Sequence, residues 1–238
     1  MSAWKAKRFW KAATVVPVAD GYTVHLDDRP VKTPAKTPLI VPTRAMAAAI
    51  AAEWDAQEGQ IDPLGMPVTR SANAAIDKVA VQHAEVAQML ADYGDSDLLC
   101  YRAPGPVELV ARQAQMWDPL LDWAAAELGV RLSTASGVIH VPQDPAALAQ
   151  LAARVHAMDN FTLAAFHDLV SLSGSLILGF AALMDYRPAE EIWHLSRLDE
   201  DWQIEQWGVD AEAEAMAETK RTAFLHAKSF VDLARASD

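Results

Sequence analysis

Hydrophobic and polar residues alternate in the first part of the chain and follow a helical period in most of the rest. Between residues 9 and 41, apolar and polar residues alternate in short runs, which is typical of half-buried strands. Asp20-Gly21 between the first two runs is a typical hairpin turn, and the prolines in this region predict a small sheet with exposed edges. The predicted strands are 14–18, 22–26, 31–33 and 39–41.

Thr43 begins a first predicted helix, residues 58–70 are a predicted loop, and from about residue 71 onward almost all apolar residues recur with the helical period. Thr43 is a predicted N-cap, Gly129 a predicted helix end, and Asp144-Pro145 a predicted cap followed by a first-turn proline. A short strand is also expected at 138–141. The predicted helices are 44–57, 71–91, 106–128, 145–158, 161–184, 188–207 and 211–235.

These elements predict an α+β fold in which a small β-rich N-terminal domain is followed by a larger all-helical domain. We place the first domain at residues 1–70, including the helix that Thr43 caps, and the second at 71–238.

Three consecutive carboxylates, Asp199, Glu200 and Asp201, interrupt the apolar pattern of the predicted helix 188–207. At about 100° per residue, Glu200 falls among the large side chains of Trp193, Ile204 and Trp207, where a charge without a partner is costly. Two interpretations stay open. Glu200 forms an ion pair with an arginine of its own chain, such as Arg154 or Arg221, or the face is an exposed acidic and aromatic patch that binds another protein.

The chain has eight tryptophans, and four of them (Trp54, Trp117, Trp123 and Trp202) directly neighbour an acidic residue. We expect most to be core side chains whose indole N–H groups bond to nearby carboxylates, with Trp117 and Trp123 inside. Trp54 and Trp207 end their predicted helices and are the better interface candidates.

Composition narrows the possible partners and compartments. The net charge of −12, from 20 basic and 32 acidic residues, argues against nucleic acid or an anionic membrane as the main partner. The single cysteine, Cys100, excludes an internal disulfide and fits a reducing compartment. Residues 1–11 are basic but lack the apolar segment of a secretion signal, and the uncharged run 169–184 is too short to span a bilayer. We expect a soluble, intracellular protein.

No pattern of catalytic residues stands out. Glu191 and His194 form a single Glu-x-x-His, whereas di-iron helical bundles carry two copies. Phosphate-binding glycine loops and a nucleophile elbow are also missing. We therefore predict no catalytic residues, no metal and no cofactor.

Several phrases together follow the pattern of one known family. They are 8–11 (Arg-Phe-Trp-Lys), 26–34, 53–57 (Glu-Trp-Asp-Ala-Gln), 66–69, 97–102, 117–120 and the Asp199-Glu200…Gln203…Trp207-Gly208 stretch. With these phrases in order, the chain resembles the ATP-twelve family along almost its full length. The members of that family are chaperones for assembly of the catalytic head of F-type ATP synthase.

The resemblance implies a protein that binds the free α subunit of the synthase, prevents its aggregation and hands it to the β subunit without nucleotide hydrolysis. It also implies that an acidic residue of the Asp-Glu…Trp-Gly helix is important, a role that falls on Glu200 and then on Asp199. Because the first family phrase begins at residue 8, a bacterial, cytoplasmic counterpart of a mitochondrial family is expected, as a monomer or weak oligomer that does not insert into membranes. The predicted client-binding residues are Glu200, Asp199, Gln203, Trp207, Trp54 and Asp55.

The alternative is a small-molecule enzyme whose site lies between the two domains, because domain junctions commonly host pockets. Asp97, Arg102 and Glu200 are the charged residues that such a site would use. A deep charged cleft would favour the enzyme, and a shallow acidic and aromatic face would favour the chaperone.

Overall fold

The computed structural model describes residues 7–237, and its helices and strands confirm the α+β class. Residues 1–6, which include Trp4 and part of the basic N-terminal stretch, lie outside the described residues. The chain divides into two compact units. The first contains the residues up to Gln82, Asp159–Ala165 and the residues from Ser229 onward, and the second contains His83–Met158 and Phe166–Lys228. The predicted division after residue 70 stays a prediction.

Five short strands and ten α-helices follow one another in the described chain. The strands are β1 (Ala13–Val18), β2 (Gly21–Leu26), β3 (Arg29–Pro30), β4 (Tyr101–Arg102) and β5 (Ala135–Ser136). The helices are α1 (Arg44–Asp55), α2 (Pro67–Ala74), α3 (His83–Ala91), α4 (Val107–Trp123), α5 (Pro145–His156), α6 (Asn160–Ser173), α7 (Leu176–Leu183), α8 (Ala189–Ser196), α9 (Leu198–Trp207) and α10 (Ala211–Arg235).

The first unit is built on the predicted hairpin, which the structure confirms. β1 and β2 pair antiparallel around Asp20-Gly21, and β3 adds to the other edge of β2. Gly21 has a φ of +139°, and a Cβ there would lie 2.3 Å from the carbonyl oxygen of Val41, so only glycine fits. The predicted strands 31–33 and 39–41 are wrong as strands, because they form only the isolated bridges Lys32–Pro38 and Tyr22–Val41.

Helix α1 covers this sheet and begins at the predicted cap. The Thr43 hydroxyl accepts a hydrogen bond from the backbone N–H of Met46 at 3.1 Å. The apolar stripe of α1, which includes Met46 and Ile50, is fully buried, and the helix packs against β1 and β2. Val24 of β2 is fully buried as well. Hydrophobic burial therefore fixes the helix on the sheet.

The second unit is helical around α7, all of whose residues are buried. The predicted single helix 161–184 is wrong, because the chain breaks at Gly174 (φ +70°) between α6 and α7. The two segments nevertheless approach closely. A Cβ on Gly179 would lie 2.6 Å from Cγ2 of Val170, which is the close approach that the small residues of this run predict.

Other predicted elements differ in detail. The predicted helix 71–91 consists of α2, a π-helical turn at Ala75–Val79 and α3, and the helix predicted from 106 continues α4 into a π-helical turn at Ala124–Leu128. Gly129, with a φ of +70°, ends it as predicted. The predicted strand 138–141 is wrong. Its residues pair with no strand of the described chain, and the side chains of Val138 and Ile139 are 93% and 80% exposed.

The tryptophans of the second unit lie as predicted only in part. Trp117 is fully buried, but its indole N–H donates to the backbone carbonyl of Leu195 at 2.9 Å rather than to a carboxylate. Trp123 is half-buried and stacks on Tyr186. Among the described residues, none of the helices is both long enough and apolar enough to cross a membrane.

Candidate functional site

The stretch with the three carboxylates consists of two helices, which corrects the predicted single helix 188–207. α8 ends at Ser196, whose hydroxyl donates to the carbonyl of Trp193 at 2.6 Å, and Arg197 breaks the helix with φ −105° and ψ 9°. α9 then begins at Leu198. Ile192, Trp193 and Leu198 are buried on the two sides of this break. Both helices therefore bury apolar residues although the helix is interrupted between them.

The position of the break explains the three carboxylates. Asp199, Glu200 and Asp201 form the first turn of α9, where the free N–H groups and the helix dipole favour negative charge. They are therefore compatible with an exposed helix start and need no buried partner for each charge. At its other end, α9 stops at Gly208, which has a φ of +89° and whose N–H donates to the carbonyl of Ile204 at 2.8 Å.

An open groove of about 430 Å³ lies beside α8 and α9, with the first half of α10 as its other wall. The lining residues of α10 recur at spacings of three and four, so they share one helix face. From α8, α9 and the link that follows, the lining residues are Trp193, His194, Arg197, Glu200, Asp201, Gln203, Ile204, Trp207, Gly208 and Asp210. From α10 they are Ala213, Glu214, Ala217, Glu218 and Arg221.

Large apolar side chains are exposed in this groove and next to its lining residues in sequence. Trp207 is 79% exposed and Ile204 is 38% exposed. Val209 and Met216, in the link and the first turns of α10, are exposed as well. An exposed tryptophan beside other apolar side chains is the usual composition of a protein-binding surface.

The walls of the groove carry five carboxylates (Glu200, Asp201, Asp210, Glu214, Glu218) and two arginines, Arg197 and Arg221. Arg221 is held firmly: its Nε and NH2 bond to Glu218 at 2.7 and 2.8 Å, and its NH1 bonds to Glu190 at 2.7 and 2.8 Å. These contacts, with Glu218 first, raise the pKa of Arg221 further above its ordinary value. In turn, the guanidinium lowers the pKa of Glu218.

Glu200 forms an ion pair with an arginine of its own chain, as the first interpretation predicts, but the partner is neither Arg154 nor Arg221. Its Oε1 accepts a hydrogen bond of 2.6 Å from NH1 of Arg197, three residues earlier, and its side chain is 45% exposed. Asp201 and Glu214 form no ion pair with any residue between 7 and 237. The groove therefore carries an excess of negative charge next to its exposed tryptophan.

Asp199 points elsewhere, although it neighbours Glu200. Its Oδ1 accepts a hydrogen bond of 2.7 Å from Nε2 of Gln113, a buried side chain of α4. Of the six predicted client-binding residues, Glu200, Gln203 and Trp207 line the groove, whereas Asp199 does not.

Trp54 and Asp55 belong to the other compact unit. The ring of Trp54 is half-buried and meets the ring of Trp10 edge to face at 5.2 Å. One Asp55 oxygen accepts from the N–H of Ala13 at 2.9 Å and lies 3.5 Å from the guanidinium of Arg8. These two predicted site residues therefore hold together the end of α1 and the start of β1.

The remaining members of the Glu-Trp-Asp-x-Gln phrase also bond to backbone groups. The Glu53 carboxylate accepts from the N–H groups of Val68 and Thr69 at 2.6 and 2.8 Å, in the first turn of α2. Oε1 of Gln57 accepts from the N–H of Asp62 at 2.7 Å. This phrase carries a structural hydrogen-bond network.

The charged residues of the alternative enzyme site are engaged elsewhere. Asp97 is fully buried and accepts hydrogen bonds from Ser175 Oγ and the N–H of Ile177. Arg102 donates to the carbonyl of Leu99 and to Asp118, both at 2.8 Å. Within residues 7–237 no group of three histidine, cysteine, aspartate or glutamate side chains is arranged to hold a metal ion.

Sequence reasoning missed the wall that α10 provides and the role of Arg197. Glu214, Glu218 and Arg221 recur at spacings of four and three, which places them on one helix face and was a readable signal. The signal for the start of α9 was the acidic triplet itself, because acidic residues are enriched in first helical turns.

Residues 7–125 match the family model described as ATP12 chaperone protein. The chain belongs to this family. Its fold is similar to the crystal structure of Atp12 from Paracoccus denitrificans, with 52% identity, a TM-score of 0.96, and coverage of 98% of this chain and 100% of that one. An aspartate-to-lysine mutant of the same Paracoccus protein matches with 51% identity, the same coverage and the same TM-score.

A mitochondrial relative is more distant. The mitochondrial atp12 protein of Schizosaccharomyces pombe is 27% identical over 215 residues, which cover 85% of this chain and 74% of the yeast protein. The family membership makes this chain an ATP12-type chaperone, and the acidic groove with its exposed tryptophan is the surface that best fits protein binding.

Proposed function

We propose that this ATP12-type chaperone holds the unassembled α subunit of F-type ATP synthase, prevents its aggregation and hands it to the β subunit. The observation that carries the proposal is the open groove in which Trp207 and Ile204 are exposed next to Glu200. A holding chaperone needs an accessible apolar surface, and an isolated α subunit exposes the apolar surface that will later meet its neighbours.

Glu200, Gln203 and Trp207 are the proposed client-binding residues of the groove. Trp207 supplies the apolar anchor, because tryptophan dominates the binding energy of many interfaces. Glu200 and the surrounding carboxylates select a client surface that carries positive charge. Asp199, Trp54 and Asp55 contribute by holding the two units in shape, since each of them already bonds to or contacts a group of its own unit.

Release by competition suits this arrangement. The β subunit would bury the client surface that the chaperone covers, so binding of β lowers the population of the chaperone complex by mass action. No nucleotide hydrolysis is needed for this exchange. We further propose a cytoplasmic protein that acts as a monomer or weak oligomer.

Light scattering of purified ATP synthase α subunit, diluted from denaturant without nucleotide, tests the proposal. A stoichiometric amount of this protein should suppress the scattering, and added β subunit should displace it from the α subunit. Unchanged scattering with a folded protein would contradict the proposal.

The variant Glu200→Lys tests the groove directly. It should fold normally, because the Glu200 side chain is 45% exposed, and it should fail to suppress scattering. Glu127→Lys is the matched control, since Glu127 is exposed, belongs to the same unit and does not line the groove. If Glu200→Lys unfolds, Glu200 is needed for stability and the assignment is wrong. If both variants protect the client equally, the client binds elsewhere.

A further inference from the structure

The two arginines of the groove differ in how tightly the chain holds them. Arg221 bonds to two carboxylates through four contacts of 2.7 to 2.8 Å. Arg197 has one ion pair, to Glu200, formed by a single contact of 2.6 Å. The pair of Arg197 is therefore the one that a ligand can open.

Replacing Arg197 by another cation at Glu200 costs little free energy. The Glu200 side chain is 45% exposed, the Arg197 side chain is 21% exposed, and the two residues are only three positions apart. A pair whose carboxylate is open to water contributes little net free energy. A cation from outside would meet the same carboxylate at similar distance. When a client cation replaces Arg197 at Glu200, the Arg197 guanidinium can be hydrated or can pair with another carboxylate of the groove. Neither charge is then left without a partner.

Asp201 is such a carboxylate. It lines the same groove and forms no ion pair with any residue of the described chain. Glu214, on the opposite wall, is equally without an ion pair in residues 7–237. The groove can thus accept added positive charge while it still carries Arg197.

We propose that the groove takes a polypeptide segment of the client that carries a lysine or arginine beside an apolar side chain, and that Arg197 competes with the client's cation for Glu200. This inference rests on the proposed function for the identity of the client, but not for the chemistry of the segment. The apolar side chain packs on Trp207 and Ile204, and the cation enters between the two acidic walls.

Charge complementarity is the reason to choose this occupant. Five carboxylates against two arginines disfavour any anionic ligand, and the exposed tryptophan and isoleucine disfavour a purely polar one. A polypeptide segment with both features complements the acidic walls and the exposed tryptophan and isoleucine. Because Arg197 already occupies Glu200, the groove binds such segments less tightly than its charge alone would allow, which suits a chaperone that must let its client go.

The binding of a labelled peptide tests the competition. The probe is a short amidated helical peptide with leucine and lysine on one face, measured by fluorescence anisotropy at low and at physiological salt. The same peptide with glutamine in place of lysine is the control. The lysine peptide should bind more tightly to the wild-type protein, and the difference should shrink with salt.

Substitutions of Arg197 and of Glu200 should change the affinity for the lysine peptide in opposite directions. Arg197→Gln should bind the lysine peptide about two- to fivefold more tightly, the change expected when a partly exposed ion pair stops competing. Glu200→Gln should bind it more weakly, and Arg197→Lys, which keeps the competing charge, should match the wild type. Arg131→Gln is the control for net charge, because Arg131 is exposed and pairs with Asp122 outside this groove.

Different results would reject the competition by Arg197 and the proposed chaperone function. Weaker or unchanged binding by folded Arg197→Gln, or equal tightening by Arg131→Gln, overturns the competition. If Arg197→Gln does not fold, Arg197→Lys and Glu200→Gln still decide: weaker binding by Arg197→Lys, or binding unchanged in Glu200→Gln, overturns it. Suppression of α-subunit aggregation by the wild type, measured in parallel, reports on the proposed function alone. If the protein binds the peptide but does not suppress aggregation of the α subunit, the competition by Arg197 stands and the α subunit is not the client.

Discussion

Gln113 and Asp199 join two helices of the second unit through one partly buried side-chain hydrogen bond. Nε2 of Gln113 donates to Oδ1 of Asp199 at 2.7 Å, while Oε1 of Gln113 accepts from the N–H of Ala103 at 2.8 Å. Gln113 is 1% exposed, so its amide has no access to water. Asp199 therefore fixes the start of α9 on α4, next to the carboxylate that faces the groove.

We expect Asp199→Ala to lower the free energy of unfolding by about 1–3 kcal/mol, because it leaves the buried amide of Gln113 without an acceptor. Urea unfolding measures this loss. Asp201→Ala is the control, since Asp201 lies in the same helical turn but forms no hydrogen bond to Gln113. The control should lose about 1 kcal/mol or less, the contribution of one charge to the helix start. Equal losses in the two variants would exclude the hydrogen bond as the cause.

Asp97 predicts a second effect on stability, which depends on pH. Burial raises the pKa of this carboxyl to about 6 in the folded protein, against the hydrogen bonds from the N–H of Ile177 and the hydroxyl of Ser175. The folded-state pKa thus lies above the unfolded one of about 3.9. The folded protein holds this proton until pH 6, while the unfolded chain releases it near pH 4, so stability falls between these values.

The expected loss is about 3 kcal/mol for a pKa shift of about two units, and it is complete at about pH 7, roughly one unit above the folded-state pKa. Asp97→Asn cannot titrate, so the wild type should lose stability relative to this variant as pH rises from about 4 to about 7. Urea unfolding of both proteins across this range measures the difference. A difference that does not change with pH would contradict the raised pKa.

The features that sequence reasoning predicted correctly depend on local chemistry. Asp20-Gly21 forms the hairpin because the glycine tolerates its φ and its close approach to Val41. Thr43 and Asp144 cap their helices through side-chain oxygens that reach N–H groups two or three residues on. Such signals need only a few neighbouring residues, so they can be read without knowing the fold.

The errors arose where tertiary contacts decide. The apolar pattern continues across Arg197, because α8 and α9 both bury apolar residues. The break between these helices therefore cannot be recognised from the pattern. Residues 138–141 have strand-forming side chains but no neighbouring strand in the described chain, whereas Tyr101–Arg102 and Ala135–Ser136 pair with hardly any sequence signal. The groove combines α9 with α10, a pairing that periodicity along one helix cannot predict.

The carboxylate of Glu53 predicts a stability effect in the first unit. It accepts from the N–H groups of Val68 and Thr69 and from the Thr69 hydroxyl, at 2.6 to 2.8 Å. Glutamine has one acceptor oxygen and would turn an N–H₂ toward these donors. We therefore expect Glu53→Gln to lower the free energy of unfolding by about 1–3 kcal/mol.

Thermal and urea unfolding measure the effect of Glu53→Gln. Glu58→Gln is the matched control, because Glu58 is exposed and carries the same charge in the same segment. Its effect should stay within about 0.5 kcal/mol. A comparable loss in both variants would show that the charge, and not the cap on α2, matters.

Substitution of Trp207 should weaken client binding without changing the stability of the fold. Because its side chain is 79% exposed, Trp207→Ala should change the free energy of unfolding by no more than about 0.5 kcal/mol. If Trp207 anchors the client, the variant should bind the α subunit about tenfold or more weakly, the loss expected for a tryptophan hot spot. Titration of aggregation suppression against chaperone concentration measures this loss. Ile139→Ala, at an 80% exposed position outside the groove, should protect the client like the wild type, and a similar loss in both variants would point to nonspecific apolar contact instead.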